Sequence, residues 1–360
     1  MARVSGVTSS SSASARRRPT SRDVAARAGV GQATVSRVLT GDPHVSEATR
    51  SKVFAALREL DYAPNEAART MKTGQTGTIG VVVARLSNPL YPELLDAIGS
   101  QLSARRLKMT VWNSEHGGNQ PARDAVAARA VDGLVLATAT PSEVPLWSTL
   151  GAGAPVVLVS RAVAELPFDS VTSDNTGGAE AVAEHFLQQG HRRIACITGA
   201  REINTIRERE EGFFRALTAA DNPVRGDMLL RVDVGHGEGH IAMRNLLQRF
   251  ERPTAVFCTS DLLAMGALDG ARSLDVPVPA EVSIAGFDDV PQASWEGYQL
   301  TTVHQPLEQM VHDAVDLLLE RIAEPHREPQ NRRLATRLVR RRSTGSAGSP
   351  RPGQVRRRTA

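Results

Sequence analysis

The chain has little cysteine: two residues, Cys196 and Cys258, in a length of 360. Two thiols make neither a disulfide framework nor, unaided, a four-ligand zinc centre. Each sits in a short apolar run, IACIT or VFCTS, the setting of a buried and unreactive thiol. Long apolar runs are missing as well. None approaches the ~18 residues that a membrane-spanning helix needs, so no membrane partner is expected. The first residues, MARVSGVTSSSSASARRRP, contain arginine but lack the apolar centre of a signal peptide, which predicts a cytoplasmic protein. Aromatic residues make up 4% of the chain, and lysine supplies only three of 43 basic residues, a skew that reflects coding bias more than chemistry. What is present is ordinary. Hydrophobic residues at 41% and charged residues at 23% exclude wholesale disorder, and the length implies more than one domain.

Acidic residues are absent from both ends. Residues 1–18 carry four arginines and no acid, and residues 337–360 carry eight arginines and no acid. Segment 19–73 has a net charge of +2, whereas 74–336 has −10, so the overall +4 conceals an acidic body between basic ends. Such asymmetry suits a chain that meets a polyanion with its ends and something else with its middle. The Ser-rich arm 1–18 and the tail 343–360 hold too little apolar surface to offset ordering entropy, so both are expected to be disordered. Their arginines either solubilise the chain or add nonspecific phosphate contacts.

Between the tails the periodicity changes twice. Thr20-x-x-Asp23 is a capping-box start, with Val24, Ala25 and Ala28 behind it. Gly29-Val30-Gly31 forms a turn, and a second short helix carries Val35, Val38 and Leu39 on one face. A third begins at the N-cap candidate Ser46 and places Val53, Ala56, Leu57 and Leu60 at helical spacing. Three short helices over 19–63, two of them joined by a glycine turn, outline a helix-turn-helix. Residues 64–77 contain one or two helical turns closed by Gly74 and Gly77, and read as a hinge whose helix needs a partner to form. From Thr78 the rhythm is strand and helix in alternation. The strand runs are Ile79–Val83, Met109–Trp112, Gly133–Leu136, Pro155–Val159, Ile194–Thr198, Ala255–Thr259 and Ser283–Phe287. Parallel sheets covered by helices follow, and a break near Asp169–Gly177 divides 78–342 into two α/β lobes with a cleft between them.

The second helix of a helix-turn-helix enters the major groove with its N-terminal residues at the base edges. Here those are Gln32 and Ala33, with Arg37 one turn on. Gln suits adenine, Arg suits guanine, and Ala can meet a thymine methyl. Thr34, Ser36 and His44 are placed for phosphates, which fix register without reading sequence.

The runs DVAARAGVGQATVSRVL and HVSEATRSKVFAALRELDYAPNEAARTMKTGQTGTIGVV resemble the lactose-repressor (LacI/GalR) family of bacterial regulators. The likeness continues through DNTGGAEAVAEHFLQQGHRRIACITG, REREEGFF, SDLLAMGAL, VSIAGFDDVP and LTTVHQP, and so covers 19–342. The resemblance implies that 64–77 holds a hinge helix ordered on operator DNA, with Asn65, Ala68 and Met71 at its minor-groove positions. Met71 stands where the family has a wedging leucine, and methionine can also unstack a base step. Gly31 replaces a capping serine, at a cost of roughly 0.5 kcal/mol. The lobes resemble the periplasmic sugar-binding fold. This implies an effector held by Ser87, Asn88, Tyr91, Ser160, Arg209, Ser260, Asp288 and Gln305. Arg209 can donate a fork of hydrogen bonds and Asp288 can accept a pair, while Tyr91 can lie against a sugar face or belong to the core. Ser160 and Ser260 occupy positions where the family often has an acid and an asparagine, which alters the ligand that fits.

Other motifs carry less. In Gly235-His236-Gly237-Glu238-Gly239-His240 the glycines argue for a mobile loop and no third ligand is apparent, so no metal is expected. Gly151-Ala152-Gly153 precedes a strand, the wrong order for a dinucleotide loop. Asp288-Asp289 has no accompanying nucleophile, so no catalytic residue, cofactor or enzymatic activity is expected. The expected protein is a homodimeric transcriptional repressor on a pseudopalindromic operator, controlled by a small-molecule effector of the sugar class and located in the cytoplasm, on the nucleoid when bound. The family's tetramers use a C-terminal leucine heptad, which this tail lacks. The alternatives are a regulator whose cleft has lost its small molecule, and a solute-binding protein or enzyme on the same lobes. The helix-turn-helix and the missing catalytic set count against the last two.

Overall fold

The computed structural model describes residues 19–39, 41–62, 70 and 74–348. It divides into a unit ending at Gly74 and a unit beginning at Gln75. In the first, α1 (Ser21–Ala28), α2 (Gln32–Leu39) and α3 (Glu47–Glu59) close around Val24, Ala25, Val35, Val38, Val53 and Ala56. The Thr20–Asp23 capping box forms at the start of α1. Gly29, at φ 66°, ends α1 in the left-handed region that an L side chain enters at a cost. Ser46 caps α3 by accepting from the Thr49 N–H at 3.3 Å. The hinge residues Asn65, Ala68 and Met71 lie outside the described residues.

The second unit begins when the N–H groups of Thr76 and Gly77 donate to the Asp132 carboxylate at 2.6 and 2.7 Å. Its first sheet is all parallel and runs β11–β5–β4–β3–β1–β2. In chain order these strands are β1 (Thr78–Val83), β2 (Lys108–Asn113), β3 (Gly133–Leu136), β4 (Val156–Val159), β5 (Asp169–Ser173) and β11 (Asn331–Leu334). Helices α4 (Leu90–Ala104) and α11 (Leu307–Ala323) cover one face; α5 (Asn119–Ala127) and the one-turn α6 (Val144–Trp147) cover the other. The second sheet, also parallel, runs β7–β6–β8–β9, from β6 (Ile194–Thr198), β7 (Leu229–Arg231), β8 (Ala255–Cys258) and β9 (Ser283–Ala285). It is flanked by α7 (Asn175–Gln188), α8 (Asn204–Ala219), α9 (His236–Leu247) and α10 (Asp261–Arg272). An antiparallel pair, β10 (Thr302–His304) with β12 (Arg337–Val339), completes this lobe. The chain therefore passes between the lobes three times: after Ser173, after Gln305 and after Leu334. A single break near 169–177 had been expected.

Within that expected break, Asp169–Ser173 is a fully buried strand. Its polar residues hid it, and three of its four polar side chains have a partner. Asp169 accepts from Arg321 Nε at 3.1 Å, from Arg327 Nη1 and Nη2 at 2.8 and 3.0 Å, and from the Gln330 N–H at 2.8 Å. Ser170 donates to Asn331 at 2.6 Å, and Ser173 to Gln305 at 2.7 Å. A buried carboxylate between two arginines stabilises only while every partner stays.

The glycine–histidine segment expected as a loop is helix α9. Its glycines serve close packing. A Cβ on Gly239 would collide with the Leu263 carbonyl on α10, and one on Gly266 with the His236 carbonyl on α9. No group of His, Cys, Asp and Glu able to hold a metal occurs among the described residues. Gly266→Val should destabilise the unit by about 3 kcal/mol through overpacking, read as a lower urea midpoint by circular dichroism.

The tail expected to be disordered from 343 is packed through Ala347. The Ser343 hydroxyl donates to the Ile284 carbonyl at 2.6 Å, and the Ala347 N–H to the Gln189 carbonyl at 2.8 Å. Two buried histidines receive it. His185 Nε2 lies 2.9 Å from Thr344 Oγ1, and His191 Nε2 lies 2.9 Å from the Gly345 carbonyl. Burial lowers both imidazole pKa values below 6.5, and Arg340 lowers that of His185 further. The unfolded chain thus binds more protons than the folded one as pH falls through 6.5, so stability is present above that pH and lost below it. His185→Gln should flatten the fall in Tm between pH 7 and about 5, measured by calorimetry; an unchanged slope would remove His185 from the effect.

Candidate functional site

On α2, Gln32, Ala33, Ser36 and Arg37 are exposed while Val35 and Val38 are buried. Positions 32, 33, 36 and 37 share one helical face, so the residues predicted to meet base edges lie together. Thr34 is half-buried, and His44 is exposed in the following turn, its N–H donating to Asp42 at 2.9 Å. Gln32 Nε2 donates to Ser21 Oγ at 2.8 Å, which ties the start of α2 to α1. Gly31 leaves α2 without a side-chain cap, and the Thr34 N–H reaches the Gly31 carbonyl at 2.9 Å instead.

The second cluster lies where the chain passes between the lobes. Arg209, on α8, is buried with its guanidinium 3.8 Å above the Phe287 ring. Its Nη1 donates to Asp288 Oδ1 at 3.0 Å and to the Thr259 carbonyl at 2.8 Å; its Nε donates to Asn175 Oδ1 at 2.9 Å. Gln305 Nε2 donates to the same Asp288 oxygen at 2.8 Å, and Ser173 Oγ to Gln305 Oε1 at 2.7 Å. Asn175 Nδ2 donates onward to Glu208 at 2.9 Å. Among the described residues Arg209 Nη2 has no hydrogen-bond partner, which leaves one donor of the fork for a ligand.

Burial lowers the pKa of Arg209, opposed by Asp288, and raises that of Asp288, opposed by Arg209. Neighbouring Asp261 is pushed up to about 8 by burial and then by Asp288. Its carboxyl accepts from the Val290 N–H at 3.0 Å and from the Thr302 hydroxyl. Asp288 also holds φ at 132°, a strained backbone for a residue with a side chain. The packing around it over-determines that conformation.

The remaining predicted residues separate. Ser260 is buried at the start of α10, where its hydroxyl accepts the Leu263 N–H at 3.4 Å. Ser160 is buried with φ at 67° at the end of β4. Ser87 is exposed, and Asn88 Oδ1 turns back onto the Leu90 N–H at 3.2 Å. Tyr91 is a core residue in α4, and only its hydroxyl reaches the cleft side, accepting from Arg161 Nη2 at 3.1 Å. The aromatic face offered to a ligand is therefore not that of Tyr91. Asn175, Glu208, Phe287 and Arg161 had not been singled out. Asn175, Glu208 and Phe287 had a signal, since they lie in the DNTGGAEAV, REREEGFF and VSIAGFDDVP runs; Arg161 emerges only from tertiary contact.

Two segments match known families: residues 20–65 match "Bacterial regulatory proteins, lacI family" and residues 183–344 match "Periplasmic binding protein-like domain". The HTH-type transcriptional repressor PurR of Yersinia pestis (strain Pestoides F) is 34% identical over 328 residues, 90% of this chain and 96% of that protein. Among solved structures, the lac repressor dimer bound to operator and the anti-inducer ONPF is similar at TM-score 0.80 and 27% identity, covering 92% of this chain and all of that one. The transcriptional regulator CelR–cellobiose complex is similar at TM-score 0.69 and 34% identity, covering 91% of this chain and all of that one. A reading helix exposed on a three-helix head, followed by two parallel-sheet lobes, agrees with these likenesses from end to end, and the chain belongs to the LacI family of bacterial DNA-binding transcriptional regulators.

Proposed function

We propose that the protein is a homodimeric repressor whose affinity for a pseudopalindromic operator is set by a sugar held between its lobes. The observation that carries this reading is the Arg209–Asp288–Gln305 cluster. It offers a hydrogen-bonding donor beside a carboxylate in a buried setting, the chemistry that recognises vicinal hydroxyls. The same cluster touches Ser173 and Gln305 at two of the passages between lobes, so a ligand there acts on lobe orientation. The cellobiose of the CelR complex supports the sugar class. No helix among the described residues is long and apolar enough to cross a membrane.

Dimerisation is supported by the edge of the first sheet. Among the described residues strand β2 has no second neighbour and exposes Met109 and Val111, 37% and 40% accessible, along an open ladder edge. Natural proteins leave such an edge uncovered only when something pairs with it or lies over it. The operator dimer of the lac repressor supports a second copy as that partner. Val111→Glu should shift the protein toward monomer in sedimentation, with loss of tight operator binding but an unchanged far-ultraviolet spectrum.

Two further measurements test the sites. Arg37→Ala should weaken operator binding by about 1–3 kcal/mol and relax preference at one base pair of each half-site; an unaltered footprint and affinity would displace α2 from the major groove. A thermal-shift screen of the full chain against neutral sugars, cellobiose included, should find a stabilising ligand. Asp288→Asn, which keeps the acceptor oxygen for Arg209 but removes its charge, should abolish that shift while unliganded operator binding persists. A shift that survives in the variant would place the ligand elsewhere.

A further inference from the structure

The two lobes also touch away from the passages of chain that join them. Arg85, two residues after β1, donates from Nη1 to the Val234 carbonyl at 2.5 Å, and Val234 follows β7 in the second lobe. Its Nε donates to Glu115 Oε1, just after β2, at 3.0 Å. One guanidinium is thus fixed on its own lobe and bonded to the other. Leu90, which opens α4 in the first lobe, packs against the same apolar cluster of the second lobe as Val234 does.

The place of this contact decides what it does. The passages between lobes leave the first sheet at β5 and β11, neighbours at one edge, whereas β1 and β2 lie at the other. In the second sheet β10 extends β9 through the bridge of Ala285 with Thr301, so the passage at Gln305 is on that side and β7 forms the opposite edge. Arg85, Glu115 and Val234 therefore stand at the sheet edges farthest from the passages. When two bodies turn about such connections, displacement grows with distance from the axis. The Arg333–Glu208 pair, 4.0 Å apart between β11 and α8, lies close to that axis and moves little. The Arg85–Val234 bond has to break.

The loop that carries Arg85 is built to hold its shape. Arg85 takes a φ of 41°, in the left-handed region, and its carbonyl accepts the Asn88 N–H at 2.7 Å. Asn88 is buried, and its Oδ1 accepts the Leu90 N–H at 3.2 Å. Asn88, expected as a ligand contact, is committed to this turn. A residue held at an unfavourable φ, with its charged group pinned by Glu115, is oriented toward one partner.

We propose that Arg85 is a latch on the cleft. Together with Leu90 it holds the lobes closed on the side opposite the passages, and a ligand enters when the Arg85–Val234 bond opens. The latch is a property of the chain alone; its consequence for a ligand rests on the reading of a sugar held between the lobes. One hydrogen bond from a half-buried guanidinium shifts an equilibrium severalfold and no more. The latch therefore biases the lobes without locking them.

The test is pulsed electron paramagnetic resonance on the full chain, with no sugar added. Spin labels are placed at Ala127→Cys and Ala219→Cys, exposed positions at the ends of α5 in the first lobe and α8 in the second. The native Cys196 and Cys258 are buried and stay unlabelled. Labelled chain is mixed into an excess of wild-type chain, so that no dimer carries two labelled copies. Arg85→Asn tolerates the same φ but is too short to span the cleft. It should raise the ratio of long to short distances about fivefold, the effect of losing one such bond. Glu115→Ala, which leaves Arg85 in place but unpins it, should shift the ratio the same way by a smaller factor. Arg201→Asn removes an arginine that pairs with Glu210 and Glu211 on its own lobe, and should leave the distances as in the wild type. Unchanged distances in Arg85→Asn overturn the proposal. Equal widening in Arg201→Asn overturns it too, by assigning the effect to lost positive charge. Because no sugar is present, failure of the sugar reading would leave both outcomes as they are.

Discussion

The ion pair of Arg209 with Asp288 is the contact on which the two-lobed unit is organised. Both groups are almost wholly removed from water, 3% and 5% exposed, and their charges meet at 3.0 Å. Taking two charges out of solvent is expensive, and their attraction offsets that cost only when the remaining donors and acceptors are satisfied as well. Here they are satisfied by residues distant in sequence: Asn175, the Thr259 carbonyl and Gln305. Each belongs to a different passage of chain, so the pair can exist only when α7, α8, β8, β9 and the second passage between lobes are all in place. The strained φ of Asp288 fits this picture, since a conformation costing about 1–3 kcal/mol persists only where the surroundings fix it.

That arrangement also explains why a cleft can be both rigid and responsive. The first lobe is closed by its own ion cluster, Asp169 with Arg321 and Arg327, which locks β5, the end of α11 and the approach to β11. The second lobe is closed by backbone-to-backbone helix packing between α9 and α10 and by the C-terminal segment on His185 and His191. Between these two rigid bodies run three strands of chain. At least two of them end on the Arg209 cluster, at Ser173 and at Gln305. On the proposed reading, a ligand that competes for Asp288 or for Nη2 of Arg209 acts where two of the passages between lobes end, which is how it would shift the population of lobe orientations.

Much of this was legible in the chain and some was not, for identifiable reasons. The seven apolar strand runs appear where the continuous hydrophobic pattern places them, and the three head helices follow from caps and turn glycines that act locally. Strand β5 was hidden because Asp169, Ser170, Thr172 and Ser173 spoil an apolar run, and Asp169, Ser170 and Ser173 are tolerated because each meets a partner from about 130 to 160 residues further along. Strand β11, with the sequence Asn-Arg-Arg-Leu, was hidden for the same reason. The segment of alternating glycine and histidine gave the opposite error. Glycine lowers intrinsic helix propensity by about 1 kcal/mol per residue, yet α9 forms because only glycine lets its backbone lie against α10. In the cleft, Arg209, Asp288 and Gln305 assemble as their motifs imply, whereas the ring of Tyr91 goes to the core because the apolar period of α4 claims it.

The charge distribution gives the proposed dimer a rationale. The body between 74 and 336 carries −10, which disfavours phosphate contact, so sequence-specific contact with DNA falls to a head whose net charge is +2. A head that neutralises few phosphates binds weakly by itself, because nonspecific affinity scales with the counterions released. The reading face proposed for it is equally small, Gln32, Ala33 and Arg37 on an eight-residue helix. Tight binding to one site must then come from tethering two such heads on one duplex, where the second binds at the effective concentration set by the first. Coupling of that kind is sensitive to the spacing between tethers. On the proposed reading, the acidic body sets this spacing, and a sugar bound at the Arg209 cluster is what changes it.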